Sequence, residues 1–253
     1  MLIKKLLSIV YTIWVSLVFF ILFFVLYPLI YLGIQNPKWH KFGRRVVRFW
    51  SKLFFIITGM WVEKNWKFKP KKDKPYVFVA NHFTYLDVAL GVELASNETV
   101  FVGKSSVTQV PMFGYMFKKL HIAVDRSDKN SRVNTIRRSI KTLKEGKSVF
   151  IMPEGGIVSK EIPKMKQPFK DGAFIMAIEN QVPIIPVTFL NNYELNPANL
   201  FKWGFPKVII NHAICTKGKT SKDIEDLKKQ VYDLIQDDLD KYYNLDKTEY
   251  LKD

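Results

Sequence analysis

One histidine and one aspartate stand where a run of apolar residues gives way to polar ones. The stretch FVANHFTYLD covers residues 78–87 and places His82 five positions before Asp87. A carboxylate that folds back onto an imidazole holds one ring nitrogen as N–H and leaves the other free to accept a proton. No serine stands nearby in a Gly-x-Ser-x-Gly elbow, so the proton would come from a hydroxyl of the substrate. The alternative is a local cap or a surface ion pair.

Two basic residues follow other apolar runs in the same way. Arg126 stands two residues after one run, and Lys104 stands directly after another. A guanidinium offers a planar fork of donors that suits a phosphate, and a lysine ammonium is a second candidate contact. Both residues are therefore candidates for binding an anionic part of the substrate. The alternative for Arg126 is a surface ion pair with Asp125 or Asp128.

A pair of glycines follows a further apolar run. Residues 151–156 read IMPEGG, so that Glu154 is followed by Gly155 and Gly156. Glycines permit a tight turn, at which backbone N–H groups or a ligand can approach closely. Such N–H groups could stabilise an oxyanion, while Glu154 would either fix the pocket or contact a substrate hydroxyl. The alternative is an ordinary turn that takes no part in chemistry.

The elements that must position these residues alternate beyond residue 75. The predicted strands are 76–80, 100–103, 122–124, 149–152, 184–190 and 208–214. The predicted helices are 87–94, 131–144, 169–179 and 221–243. This order predicts an α/β domain with a mostly parallel central sheet flanked by helices. Because functional groups collect at the carboxyl ends of parallel strands, such a sheet would bring the candidate residues together.

The amino-terminal part predicts a membrane-embedded helical segment. Residues 6–35 carry no charge. As one helix, this segment is longer than the roughly 30 Å of hydrocarbon in a bilayer, so it must tilt, kink near Pro28, or dip and return. It is also too long for the apolar part of a cleavable signal peptide. Residues 39–57 interleave bulky apolar groups with Arg and Lys, which fits either an interfacial helix or a second membrane-dipping helix.

The charge of the chain points to a membrane rather than a nucleic acid. The net charge is +16, and many of the cations lie before residue 75, beside the apolar segment. This arrangement favours anionic membrane lipids as partners over nucleic acid. More cations follow the segment than precede it, so the positive-inside rule puts the catalytic domain on the cytoplasmic face. The single cysteine, Cys215, fits a reducing compartment, and we expect it to be a buried packing residue of the last strand.

Taken in order, the chemical stretches resemble the four sequence blocks of the glycerolipid acyltransferases. They are most similar to the 1-acyl-sn-glycerol-3-phosphate acyltransferase family, the lysophosphatidic acid acyltransferases. The matching stretches are residues 81–87, 124–126, 153–155 and 182–187. They extend over residues 75–190, and the apolar amino-terminal segment is also typical of the family. Four blocks in order at suitable separations make a far more specific pattern than any one of them.

The resemblance implies a role for each residue that matches a block. The catalytic group would comprise His82, Asp87, Glu154 and Gly155. The substrate-binding group would comprise Arg126 and Asn81, the asparagine that usually precedes the histidine. Lys104 and Gly156 match no block and join this group because they follow apolar runs. The family also implies acyl-CoA or acyl carrier protein as co-substrate, lysophosphatidic acid as acceptor, and no metal or other cofactor.

Two positions depart from the family's pattern. Leu120 stands where the second block opens with Gly, and residues 156–158 read Gly-Ile-Val where the third block continues Thr-Arg-Ser. The second departure removes a cationic contact, for which Lys160, Lys164 or Lys166 could compensate. It also leaves open an acyltransferase of the same superfamily that acts on another acceptor, such as a lyso-aminolipid or glycerol 3-phosphate.

The sequence thus predicts a membrane-anchoring helical segment over residues 1–63 and a glycerolipid acyltransferase catalytic domain over residues 64–253. The domain would move a fatty acyl group to lysophosphatidic acid and make phosphatidic acid. A rival of a different class is a membrane-anchored protein without enzymatic activity, whose basic face binds anionic lipid.

Overall fold

The structure, a computed structural model, describes residues 2–95 and 98–244. A sheet of seven strands forms the centre of this part of the chain. The strands are β1 (Glu63–Trp66), β2 (Val77–Ala80), β3 (Thr99–Lys104), β4 (Ile122–Val124), β5 (Ser148–Ile151), β6 (Ile184–Phe189) and β7 (Lys207–Ile210). They lie in the order β1-β7-β6-β2-β5-β3-β4. Neighbouring strands are parallel except for β6 and β7, which are antiparallel. The predicted mostly parallel α/β sheet is confirmed.

Helices cover both faces of this sheet. They are α1 (Leu2–Gln35), α2 (His40–Ile57), α3 (Leu86–Leu94), α4 (Phe113–Leu120), α5 (Lys129–Lys144), α6 (Gly172–Asn180), α7 (Asn192–Leu195) and α8 (Ile224–Tyr243). Side chains alternate between the two faces, as the pleat of a strand requires. In β2, Phe78 and Ala80 join a core with residues of α1, α2 and α3. Val77 and Val79 of the same strand join a second core with α6 and α8.

The two amino-terminal helices pack closely on each other and on the sheet. A Cβ added to Gly33 of α1 would lie 2.7 Å from the Cα of Gly43 in α2, so two glycines permit the contact. Further along the pair, the Tyr11 hydroxyl donates to the Thr58 carbonyl at 2.8 Å. The helix pair therefore shares a core with the sheet. The boundary at residues 63 and 64 stays a prediction.

The helix α1 is the one described element that is long and apolar enough to cross a membrane. It has 34 residues with a mean hydropathy of 2.7 in its most apolar window, and it would extend about 51 Å at 1.5 Å per residue. It continues without a break through Pro28. On α2, Phe42, Arg45, Phe49 and Lys52 form an exposed stripe of alternating aromatic and basic side chains.

The sheet differs from the sequence-based prediction at two places. No strand was predicted before residue 76, but β1 pairs with β7 at the edge of the sheet. A strand at the edge of a sheet can keep its side chains in solvent, and those of β1 are mostly exposed. Its sequence therefore lacks the apolar pattern by which a buried strand is predicted. The last strand ends at Ile210, and Ile214 forms only an isolated bridge with Ile184. Cys215 is therefore exposed and lies outside the strand.

Candidate active site

The predicted chemical residues lie at one edge of the sheet. Strands β2, β5, β3 and β4 are neighbours and run in parallel, so their carboxyl ends share that edge. His82 follows the end of β2, Glu154 follows β5, and Arg126 follows β4. Lys104 is the exposed last residue of β3, and its Cα is paired with that of Val124. The expectation that the sheet brings these residues to a common edge is met.

The imidazole of His82 and the carboxylate of Asp87 face each other. Nδ1 of His82 lies 3.2 Å from Oδ2 of Asp87, which is completely buried. The same Oδ2 accepts the backbone N–H groups of Phe83 at 2.7 Å and Thr84 at 2.8 Å. Because this oxygen acts as an acceptor, the hydrogen-bond pattern assigns the ring hydrogen to Nδ1 and leaves the lone pair on Nε2. The arrangement is that of a general base with an orienting carboxylate.

The local sequence explains why the carboxylate folds back. Asp87 lies in the first turn of α3, which begins at Leu86, and its side chain folds back onto the loop before the helix. There it accepts the N–H groups of Phe83 and Thr84, which have no other backbone acceptor among the described residues. The Leu86 N–H donates to Oγ1 of Thr84 at 3.2 Å, which tightens the same turn. Asp87 therefore stabilises this turn and orients His82 at the same time. The local structural role that the sequence left as an alternative is compatible with this arrangement.

A third residue, absent from the sequence-based site, holds the other oxygen of the carboxylate. Nδ2 of Asn192 donates to Oδ1 of Asp87 at 2.8 Å, and Asn192 is only 1% exposed. Asn192 begins the short helix α7, three residues after the end of β6. Because β6 is parallel to β2, its carboxyl end reaches the same edge of the sheet. A polar residue after a buried strand is the signal that could have identified it.

Asn81 is fully engaged by the backbone. Its side-chain amide donates to the Phe189 carbonyl at 3.0 Å, and its Oδ1 accepts the Phe189 N–H at 2.8 Å. These two bonds join the end of β2 to the end of β6 and account for the complete burial of the side chain. The observed contacts give Asn81 a structural role, and its assignment to substrate binding stays a prediction.

Glu154 ties the loop after β5 to the backbone of His82. Its Oε1 accepts the backbone N–H of His82 at 2.7 Å. Its Oε2 accepts the hydroxyl of Ser159 at 2.8 Å and the backbone N–H of Lys166 at 3.0 Å. Burial raises the pKa of the Glu154 carboxyl, an effect that these three hydrogen bonds and the nearby imidazole of His82 only partly offset. Glu154 therefore positions groups of the site, and its assignment as a catalytic residue stays a prediction.

The two glycines adopt backbone conformations that other residues avoid. Gly155 has φ +80° and Gly156 has φ +153°. A Cβ on Gly155 would lie 2.5 Å from Cε of Lys170, and a Cβ on Gly156 would lie 3.0 Å from Nη1 of Arg126. The glycine turn is therefore covered by two cationic side chains. Lys170 was not among the predicted site residues, although it lies directly before Asp171 and helix α6.

The guanidinium of Arg126 has no partner in the described part of the chain. Asp125 accepts the N–H and the hydroxyl of Ser127, and Asp128 accepts two N–H groups of α5. Both carboxylates are thus used locally, so the surface ion pair considered for Arg126 does not form. Burial of the guanidinium lowers the pKa of Arg126. A half-buried cation without a counter-charge is suited to an anionic ligand.

A lysine other than the three considered as replacements for the missing arginine lies against the turn. Lys170 is the lysine whose side chain covers Gly155. Lys166 contributes its backbone N–H to Glu154. Across residues 2–95 and 98–244, no group of three or more His, Cys, Asp or Glu side chains could hold a metal ion.

Sequence comparisons identify one family of similar proteins. The sequence model of the Acyltransferase family matches residues 62–190. A 1-acyl-sn-glycerol-3-phosphate acyltransferase of Haemophilus influenzae is 28% identical over 210 residues, which cover 81% of this chain and 84% of the relative. One from Salmonella typhimurium is 30% identical, with 70% of this chain and 69% of the relative covered. A chloroplast enzyme of the same name from Brassica napus is 28% identical over 69% of this chain, which spans 51% of that relative's length.

A solved structure has a similar fold. The crystal structure of the 1-acyl-sn-glycerophosphate acyltransferase PlsC from Thermotoga maritima superimposes with a TM-score of 0.71. The alignment covers 94% of this chain and 96% of that chain, at 23% sequence identity. The similarity therefore extends over the amino-terminal helices as well as the sheet.

Proposed function

Since the chain belongs to the Acyltransferase family, we propose that it transfers a fatty acyl group to the free hydroxyl of lysophosphatidic acid and makes phosphatidic acid. The family predicted from the four sequence blocks is confirmed, and several relatives carry this activity in their names. The chain spans about half the length of the chloroplast relatives and most of the Haemophilus relative. The proposed activity therefore rests on the geometry of the site as well as on the relatives.

The observation that carries the proposal is the contact between His82 and Asp87. The carboxylate fixes the ring so that the lone pair of Nε2 is available to a substrate hydroxyl. His82 has a side chain that is 11% exposed, which is enough for access while most of the ring is shielded from water. A general base of this kind contributes about 10²–10⁴-fold to a rate.

The reaction follows from the bonds that such a base can help to form and break. His82 takes the hydroxyl proton as the acceptor oxygen attacks the carbonyl carbon of the acyl thioester. The new C–O bond forms, the C–S bond breaks, and the leaving thiolate recovers the proton from His82. A thioester is already activated, so we propose acyl-CoA or acyl carrier protein as donor, with no metal or other cofactor.

We assign the phosphate of the acceptor to the cations at the glycine turn. Arg126 lies against Gly156 and is without a counter-charge among the described residues, while Lys170 covers Gly155. Lys104, at the end of β3, is a third candidate contact. The third block of this chain lacks its usual arginine, but Arg126 and Lys170 still place two cations at the glycine turn. We therefore retain a phosphorylated acceptor.

The backbone of the same turn is a candidate oxyanion site. The Gly155 N–H donates to the Met152 carbonyl at 3.2 Å, so it is occupied in this conformation. Within the described residues, the Gly156 N–H has no acceptor. We therefore propose Gly156 rather than Gly155 as the donor to the tetrahedral oxyanion, a contact of the kind that typically contributes about 10²–10³-fold.

The helices α1 and α2 fit a substrate that resides in a bilayer. The outer face of α1 exposes large apolar side chains along its length, and the outer stripe of α2 alternates aromatic and basic residues. We propose that this pair anchors the chain in the membrane, with anionic lipids against the basic residues and the catalytic domain on the cytoplasmic side.

The proposal is tested with the purified full chain and mass spectrometry of its products. Lysophosphatidic acid is offered with acyl-CoA and, separately, with acyl carrier protein, and the expected product is phosphatidic acid. Lyso-aminolipid and glycerol 3-phosphate serve as competing acceptors. A product from one of these acceptors alone would replace the proposed acceptor. Binding of anionic lipid without consumption of either donor would support a protein without enzymatic activity.

A further inference from the structure

A basic cavity lies at the opposite edge of the sheet from the catalytic groups. It is bounded by α2, the end of α3, the start of β3 and the turn before β5, and it has a volume of about 380 Å³. The catalytic groups follow the carboxyl ends of β2, β5 and β4, whereas this cavity lies at the amino ends of β3 and β5. Since these strands are parallel, the two sites face opposite ways.

The charge of the cavity is strongly positive. Six cationic side chains and two carboxylates line it, an excess of four positive charges. The cations are Lys41, Arg44, Arg45, Arg48, Lys72 and Lys147. They come from α2, from the loop before β2 and from the turn before β5. Segments that are distant in sequence thus converge on one concave surface.

The two carboxylates are already paired with part of this set. Glu98 binds Arg44 and lies 3.3 Å from Nζ of Lys41. Burial alone would raise the pKa of Glu98, but the hydrogen bonds and charges of Arg44 and Lys41 outweigh burial and lower it. Glu145 is paired with Lys147 at 2.7 Å.

The remaining cations are largely without counter-charges. The side chains of Arg45 and Lys72 form no hydrogen bond or ion pair with any residue in 2–95 or 98–244. The buried Nε of Arg44 also has no acceptor there. Arg48 donates to the Glu93 carbonyl at 3.2 Å, and the Glu93 carboxylate is itself paired with Lys64 at 2.7 Å.

A neighbouring histidine reflects the same positive environment. His121 borders the cavity, is buried, and accepts the Phe101 N–H on Nδ1 at 3.2 Å. Burial, and after it the charge of Arg44, lower the pKa of His121 to about 3. The ring is therefore neutral at physiological pH and does not add to the positive charge. An anion in the cavity would relieve the repulsion among the remaining cations.

The position of the cavity indicates the source of its anion. Arg45 lines the cavity and is also part of the exposed stripe of α2, between Phe42 and Phe49. Residues three and four apart lie on the same face of a helix, so the cavity opens beside aromatic side chains suited to a lipid surface. Arginine forks are well matched to phosphate oxygens. We infer that the cavity binds the phosphate headgroup of an anionic membrane lipid, independently of the catalytic site.

The test uses two double variants of the full chain in detergent. Arg45→Gln with Lys72→Gln removes two cavity cations that hold no structural contact. Lys38→Gln with Lys52→Gln removes two exposed cations of the same region that do not line the cavity, so both variants lose the same charge. The probe is dioctanoyl phosphatidic acid, and native mass spectrometry counts the molecules that each protein retains.

The wild type and the control variant are expected to retain one lipid more than the cavity variant, whose affinity for that lipid falls at least tenfold. Equal losses in the two variants would show diffuse attraction and overturn the inference. Equal retention of dioctanoyl phosphatidylcholine would show that charge does not select the ligand. Displacement of the lipid by inorganic phosphate at the same concentration would show that the cavity binds a soluble anion. If the wild type retained no additional lipid, the inferred binding site would be overturned.

Discussion

The contact of Asn192 with Asp87 makes a specific prediction about catalysis. Within the described residues, Oδ1 of Asp87 accepts one hydrogen bond, from Asn192, whereas Oδ2 accepts the two backbone N–H groups and faces His82. Replacing Asn192 with alanine leaves this buried oxygen without a donor. The carboxylate is then held through Oδ2 alone, so that its plane can turn relative to the imidazole that it orients.

The magnitude follows from the cost of an unmade hydrogen bond. A buried acceptor that loses its donor costs about 1–3 kcal/mol. If this cost appears in full in the transition state, kcat falls about 5- to 150-fold. The KM values for donor and acceptor should change little, because Asn192 contacts Asp87 and not the proposed phosphate site. Steady-state kinetics of Asn192→Ala with lysophosphatidic acid and an acyl thioester measure both quantities.

The neighbouring residue Asn191 provides a matched control. It is also buried, and its amide donates to the Phe205 carbonyl at 2.9 Å and accepts the Lys207 N–H at 2.8 Å. Asn191→Ala therefore removes two hydrogen bonds from the same segment without touching Asp87. We expect it to lower the melting temperature and to leave kcat near that of the wild type. Equal kcat values for the two variants would refute the positioning role of Asn192.

Three further perturbations have definite expected outcomes. Glu154→Gln should lower the melting temperature and accelerate hydrogen exchange at the His82 backbone N–H, because an amide cannot accept from the His82, Ser159 and Lys166 donors together. An unchanged exchange rate would contradict these hydrogen bonds. Arg126→Ala should raise the KM for the phosphorylated acceptor with a smaller effect on kcat. An unchanged KM would show that the phosphate binds elsewhere. The unfolded chain protonates His121 below about pH 6.5, whereas the folded chain does so near pH 3. The free energy of unfolding should therefore fall as the pH drops between these values, by about 1.4 kcal/mol per unit. His121→Gln should reduce that slope in denaturant titrations, and an identical slope would be inconsistent with this cause.

The parts of the fold that the sequence predicted are those with strong local patterns. Four-residue apolar runs such as β2 can only be buried, and the helices between them follow the usual spacing. The contact between His82 and Asp87 was also predictable, because both residues belong to one turn. Arg126 and Glu154 could be assigned to the same edge because parallel neighbouring strands end there.

The residues that the sequence did not reveal depend on contacts between distant segments. Asn192 lies 105 positions from Asp87, and no local feature links them. Lys170 reaches Gly155 only because the loop after β5 folds back. The same applies to Asn81, whose two bonds to Phe189 cross from one strand to another. Its position before the histidine predicts a place at the site but not the backbone contact that occupies it.

The edge strand β1 was missed for a different reason. Its residues, Glu63–Trp66, are mostly polar and exposed, and its pairing with β7 uses backbone groups that every sequence possesses. Cys215 shows the opposite error. The predicted strand was extended across Asn211 and His212 to residue 214, but the observed strand ends at Ile210, and the thiol of Cys215 lies beyond it and is exposed.

The central claim is that His82, oriented by Asp87, removes the proton of the acceptor hydroxyl. The most direct measurement is the kcat of His82→Ala for phosphatidic acid formation, made on protein whose melting temperature matches that of the wild type. Loss of a general base predicts a decrease of about 10²–10⁴-fold. A variant that retains more than about a tenth of the wild-type kcat would fall outside the range expected for a general base and would contradict the account.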